Sequence, residues 1–163
     1  LDTDNGALLQ SGINHSDDLF MFIKKKITGL LPNHEFSVGI EAEIATCIPD
    51  DMIGLGGSPG GSVYIKAGAF HTEPLKILNN SENWFRMNLD KGNQSHEGLN
   101  MKIIGNMENG SDTALWTLKI VKTSSPVNVT SNDNGEIWLI LGTDSGCEDI
   151  TVIYYNSISA KIE

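Results

Sequence analysis

The chain contains a single arginine, Arg86, and its 11 basic residues face 21 acidic ones, for a net charge of −10. Nucleic acids are held by clustered cations that displace phosphate counterions, so DNA and RNA are excluded as principal partners. The one basic cluster, Lys24–Lys26, reads as the solvated end of a strand. Cysteine is scarce too. Cys47 and Cys147 are too few for a disulfide scaffold or a closed zinc site. One bridge closing a long loop, as suits an exported domain, and two unpaired thiols both fit the sequence. No apolar run approaches the roughly 20 residues that a membrane helix needs, so membrane insertion is not expected. The opening LDTDNG is no secretory leader. The expectation is that one was removed ahead of Leu1, giving a secreted, periplasmic or cell-surface protein.

What is present is strand rhythm. From Glu35 to Ile44 the apolar Phe36, Val38, Ile40, Ala42 and Ile44 alternate with Glu35, Ser37, Gly39, Glu41 and Glu43. Successive strand side chains point to opposite faces, so this segment is one half-buried strand. With Leu19–Ile27 and the reversal at Thr28–His34 it forms the hairpin on which the chain is organised. Ala7–Ile13, Ser62–Ala67, Trp84–Leu89, Met101–Ile104, Leu115–Thr123 and Val127–Thr130 read as further strands. Asn134-Gly135 signals a hairpin turn into Glu136–Gly142, an almost wholly apolar central strand. Thr143–Asp149 reads as a loop, Ile150–Ile158 as a closing strand that can run on to Ile162, and Glu73–Asn79 as a short helical turn. Seventeen glycines, with many Asn, Ser and Asp, supply the turns. The glycine-rich Asp50–Gly61 lacks the Lys-Ser/Thr of a phosphate loop. The expectation is one all-β, antiparallel sandwich domain over residues 1–163, frayed over 1–6.

Several of these segments carry a resemblance. Ile27–Val38 (ITGLLPNHEFSV) resembles a corner of jelly-roll carbohydrate-binding modules, and fibronectin type III domains carry a similar one. In it Leu30 plugs the core, Pro32-Asn33 turns the chain and Phe36 re-enters the core. Trp84 is similar to the tryptophan that opens a middle strand of such modules. Asn134–Gly142 resembles their penultimate strand, and Tyr154–Ile162 their last one, with Asn156 or Ser157 where Asp is usual. The resemblance implies a galactose-binding-like jelly roll, favoured over the immunoglobulin or fibronectin topology. It also implies an exported bacterial protein, often with a structural Ca²⁺ and with a ligand site on a sheet face or in end loops.

Candidate binding residues follow from chemistry. Aromatic rings stack on the apolar face of a sugar while polar groups read its hydroxyls. Trp84, Trp116 and Tyr155, with His71 and His96 from loops, are the expected set. Trp138 reads as core, and Tyr154 and Tyr155 must face opposite sides. Ca²⁺ takes oxygen ligands, which Asp17, Asp18, Asp144 and Asp149 could supply. The histidines at 15, 34, 71 and 96 are too dispersed for a transition-metal site. Glu41 and Glu43 share a strand face but read as solubilising, and no nucleophile elbow surrounds Ser62 or Ser145, so a hydrolase is only a remote expectation. A non-catalytic glycan-binding module is favoured over a structural or adhesive domain that binds a surface protein.

Overall fold

The computed structural model describes residues 6–16, 18–81 and 83–163. Two antiparallel sheets pack face to face. The first has the order β1 (Leu8–Ile13), β11 (Ile150–Ile162), β3 (Glu35–Thr46), β8 (Thr117–Lys122), with β9 (Val127–Thr130) pairing the start of β3. The second has the order β2 (Leu19–Ile27), β10 (Ile137–Ser145), β4 (Val63–Phe70), β7 (Met101–Asn106). A small ribbon, β5 (Lys76–Asn79) and β6 (Trp84–Met87), lies between β4 and β7 in the chain. No described residue is helical. The all-β antiparallel sandwich read from the alternation is therefore the fold.

The alternation of β3 explains the core. Val38, Ile40, Ala42 and Ile44 are buried against Val63, Ile65, Ala67 and Ala69 of β4 and Ile137 and Leu141 of β10. A strand covered on one face needs apolar groups at every second position. β10 lies between β2 and β4, as its apolar run predicts, and β4 and β10 are covered on both faces.

Four expectations are corrected. β2 and β3 do not form a hairpin: β2 pairs β10 while β3 pairs β11, β8 and β9, so Thr28–His34 is a corner between sheets. Leu30 and Phe36 still pack on the core from that corner. Asn134-Gly135 also joins the two sheets rather than a hairpin. Gly135 has φ +67°, and its carbonyl accepts the Leu30 amide at 3.0 Å, so the two corners brace each other. A side chain at Gly135 would collide with the Leu30 carbonyl as well as strain the backbone. Finally, Lys76–Asn79 is a strand where a helical turn was expected, and β10 runs through Thr143, Asp144 and Ser145, where a loop was expected. Both cysteines are free thiols, Cys147 buried and Cys47 half-buried.

Candidate functional site

The outer faces of the two sheets differ. On the four-stranded sheet, the outward Phe20, Phe22, Phe70, Met101 and Ile140 are roofed by Met87 and Leu89 of the β4–β7 segment. Beside this second core lies a buried ion cluster. Lys66 and Asp144 are diagonal neighbours on β4 and β10, both fully buried, with Nζ to Oδ2 at 2.8 Å. Lys66 also donates to the carbonyls of Lys91 (3.0 Å) and His96 (2.9 Å). Asp144 further accepts Lys91 Nζ at 2.9 Å and the Gln94 amide at 2.9 Å. Burial works to raise the Asp144 carboxyl, but the two ammonium groups prevail and hold it below the usual aspartate range. Burial pulls the Lys66 amine down, against the pull of Asp144. Gly68 makes the roof possible, because a side chain there would meet the Asn100 carbonyl.

This cluster settles the place of one predicted calcium ligand. Asp144 gives its oxygens to two lysines and an amide, so it serves the roof and leaves the metal set. Asp18 is exposed, 3.8 Å from Lys91, and its carboxyl is raised mainly by desolvation. The exposed Asp149 caps its own strand, accepting the Ile150 amide at 2.7 Å. Asp17 lies outside the described residues. No group of three or more His, Cys, Asp or Glu is placed to hold a metal among the described residues.

Among the described residues, the five-stranded sheet has no such roof. Register aligns Leu9 of β1, Tyr154 of β11, Ala45 of β3 and Leu118 of β8 in one row across its outer face. Trp116, two residues before Leu118 and 48% exposed, meets Tyr154 edge-on across β3, with centroids 5.2 Å apart at 81°. The small Ala45 leaves room between them. Ile13 and Ile150 extend the apolar surface on one side and Ile120 on the other, all exposed.

β8 is inverted relative to an ordinary half-buried strand. Its apolar Leu118 and Ile120 face solvent, while Lys119 points to the sheet interior beside the buried Val121. There Lys119 Nζ donates to the carbonyls of Asn106 (3.2 Å) and Glu108 (2.6 Å), and burial lowers its amine. A one-residue slip would bury Leu118 and Ile120 and free Lys119, though it would also expose Val121 and bury Lys122. The fold does the opposite, which leaves apolar groups on show at a cost in hydrophobic burial.

Polar groups share this face. Asn156 donates to Glu43. Farther along β3, Gly39 floors a depression of about 260 Å³ edged by Glu41, Lys122, Ser159 and Lys161. Ala45 and Gly39 are about 20 Å apart at the usual strand rise.

The predicted binding residues do not converge. Trp116 is on the bare face, as a stacking role requires. Trp84, 60% exposed, stands on the β5–β6 ribbon, in the segment that roofs the other sheet. His71 and His96 belong to that same segment; His71 lies against Phe70, and His96 lends its carbonyl to Lys66. Tyr155 is corrected outright: it is 2% exposed and its hydroxyl donates to Gln10 at 3.1 Å. Burial pushes its phenol well above the ordinary range. Its neighbour Tyr154, half-buried, holds the outward place instead.

No protein-family model matches the chain, and no curated protein matches it. Among solved structures it is similar to a "putative sugar binding protein" from Bacteroides thetaiotaomicron VPI-5482. The TM-score is 0.38 at 11% identity, covering 99% of this chain and 85% of that one.

Proposed function

We propose that this domain is a non-catalytic carbohydrate-binding module of an exported protein, with the bare face of the five-stranded sheet as its ligand surface. The observation that carries the reading is the inverted strand β8, which sets Leu118 and Ile120 beside the Trp116–Tyr154 pair in solvent. Two rings near a right angle form a corner, which suits one sugar ring stacked on one face and edged by the other. Glu43, Asn156, Glu41, Lys122 and Ser159 lie on the same face and supply donors and acceptors for hydroxyl groups. Lys122 and Glu41 have no hydrogen-bond or ion-pair partner among the described residues, so ligand contacts there break no existing bond.

A protein partner is the second reading. The aliphatic side chains Leu9, Ile13 and Ile150 extend the surface beyond the aromatic corner, as a surface or adhesive domain docked on another protein would require. A glycan array probed with and without Ca²⁺, followed by calorimetric titration of hits, separates the two. A saturable hit that Trp116→Ala abolishes supports the module. Calcium dependence of that hit would assign an ion to the site. A blank array with folded protein overturns the carbohydrate reading and favours the protein partner.

A further inference from the structure

A second feature lies at the opposite edge of the sandwich from β8. β1 pairs β11 only from Ile150 to Tyr155, where Leu8 is its last partner. Beyond a bulge at Tyr155/Ser157, β11 continues to Ile162, paired among the described residues on one side only, with β3. Ser37 and Glu163 exchange both backbone hydrogen bonds, at 2.8 and 3.0 Å. In an antiparallel ladder such pairs alternate, so the amides and carbonyls of Ile158, Ala160 and Ile162 point away from β3, toward the open edge. The side chains of these same three residues point inward, opposite Ala42, Ile40 and Val38.

They do not meet a closed core. With Ile23 and Ile27 of β2 and Leu139 of β10 they line a half-open apolar cleft of about 510 Å³ between the sheets. β2 is the edge strand of its own sheet, so the cleft opens between two strand edges that are unpaired among the described residues. Ile158 faces this interior and is nevertheless exposed.

The cleft also has one unpaired charge among the described residues. Lys24 pairs with Glu73 at 2.7 Å and Lys26 with Glu136 at 3.1 Å. Lys25, between them, faces the cleft and has no hydrogen-bond or ion-pair partner among the described residues. It is an unpaired cation beside an apolar groove in a chain of net charge −10.

We propose that the cleft accepts an extended segment of a partner polypeptide as an added strand along Ile158–Ile162, with alternate apolar side chains in the cleft and a carboxylate facing Lys25. Backbone groups at the open edge supply affinity without sequence, and the cleft selects residues at every second position. An acyl chain would fill the groove but leave the outward amides and carbonyls unpaired, which favours peptide over lipid. This site is separate from the outer face proposed for glycan, and neither depends on the other.

The test uses a fluorescein-labelled peptide, VTITVTET, and its reversed sequence, capped at both ends, read by fluorescence anisotropy. A control of the same composition groups its apolar residues together. The expected result is saturable one-to-one binding of an alternating peptide and slowed hydrogen exchange at the amides of Ile158, Ala160 and Ile162. Ala160→Phe, which fills the cleft from within, should abolish binding while the thermal transition is retained. Lys25→Glu should weaken binding about fivefold, and replacing the peptide's Glu with Lys should restore it. Equal binding of the grouped control, or unchanged exchange at those amides, would overturn the proposal. So would self-association of the chain that Ala160→Phe dissolves, because the occupant would then be a second copy.

Discussion

The outer faces of the two sheets use their side chains in opposite ways. On the four-stranded sheet, polar residues at outward positions are sealed under a roof: Lys66 and Asp144 are fully buried and wholly partnered. On the five-stranded sheet, apolar residues stand in solvent: Trp116, Leu118 and Ile120 are exposed with nothing above them among the described residues. Each arrangement costs free energy, but the first is satisfied internally and the second is not. A buried ion pair with full hydrogen bonding specifies how a roof docks. An uncovered aromatic and aliphatic surface is completed by something outside the domain.

The largest test of this contrast is on the covered face. Asp144→Asn leaves Lys66 buried beside a neutral group and should cost about 3–5 kcal/mol. For a chain of this size that lowers the melting temperature by roughly 6–20 °C, read by circular dichroism. Replacing both partners, with Lys66→Met and Asp144→Leu, should cost less than the single change, since the one charge left without Asp144 is Lys91, which is partly exposed and still 3.8 Å from Asp18. Gly68→Ala comes next. Its methyl group would meet the Asn100 carbonyl, so the roof must shift, at about 1–3 kcal/mol by analogy with overpacking. Urea unfolding measures it.

Acid sensitivity sharpens the same point. Asp144 and Asp90 are both held below their ordinary value of 3.8, Asp144 by lysines against the cost of burial and Asp90 by the amides of Leu99 and Gly92. A carboxylate with a depressed folded-state pKa contributes stability that is complete above the unfolded value and lost as pH falls through the folded one. Asp18, raised chiefly by burial, offsets part of that loss. Stability should therefore fall below about pH 4, and Asp144→Asn should flatten that decline in a series of melts against pH.

The bare face should respond least in stability and most in binding. Trp116→Ala and Ile120→Lys remove exposed groups and should each shift stability by no more than about 1 kcal/mol. Ile120→Lys should also raise solubility, measured by precipitation with ammonium sulfate, because it breaks the apolar patch.

Strand positions were legible because strand patterning is a local signal: β3 and β11 stand where it places them, and β4 and β10 begin there but run three residues farther. Partnership was not. Asn134-Gly135 and Thr28–His34 have hairpin chemistry, yet the strands that flank each go to different sheets, a choice made by long-range pairing. The site was half legible. Trp116 was found by its type and its neighbouring polar loop. Period two showed that Tyr154 and Tyr155 oppose each other, but only the pairing of Tyr155 with Ile44 shows which one is inside. The inversion of β8 was hidden for a similar reason. TLKIVK sets apolar groups on both faces, Leu118 and Ile120 on one and Val121 on the other, and the carbonyls that receive Lys119 come from β7 and the residues after it. The ion cluster had a fainter mark: one lysine in VYIKAGAF and one aspartate in WLILGTDS, each a lone charge in an apolar strand.

The most direct measurement compares two tryptophans. A glycan identified on an array is titrated into the wild type, Trp116→Ala and Trp84→Ala under one set of conditions. The bare-face account predicts that Trp116→Ala abolishes binding and Trp84→Ala leaves it unchanged. Loss of binding in Trp84→Ala, with Trp116→Ala still binding, would contradict it and move the site to the β5–β6 ribbon.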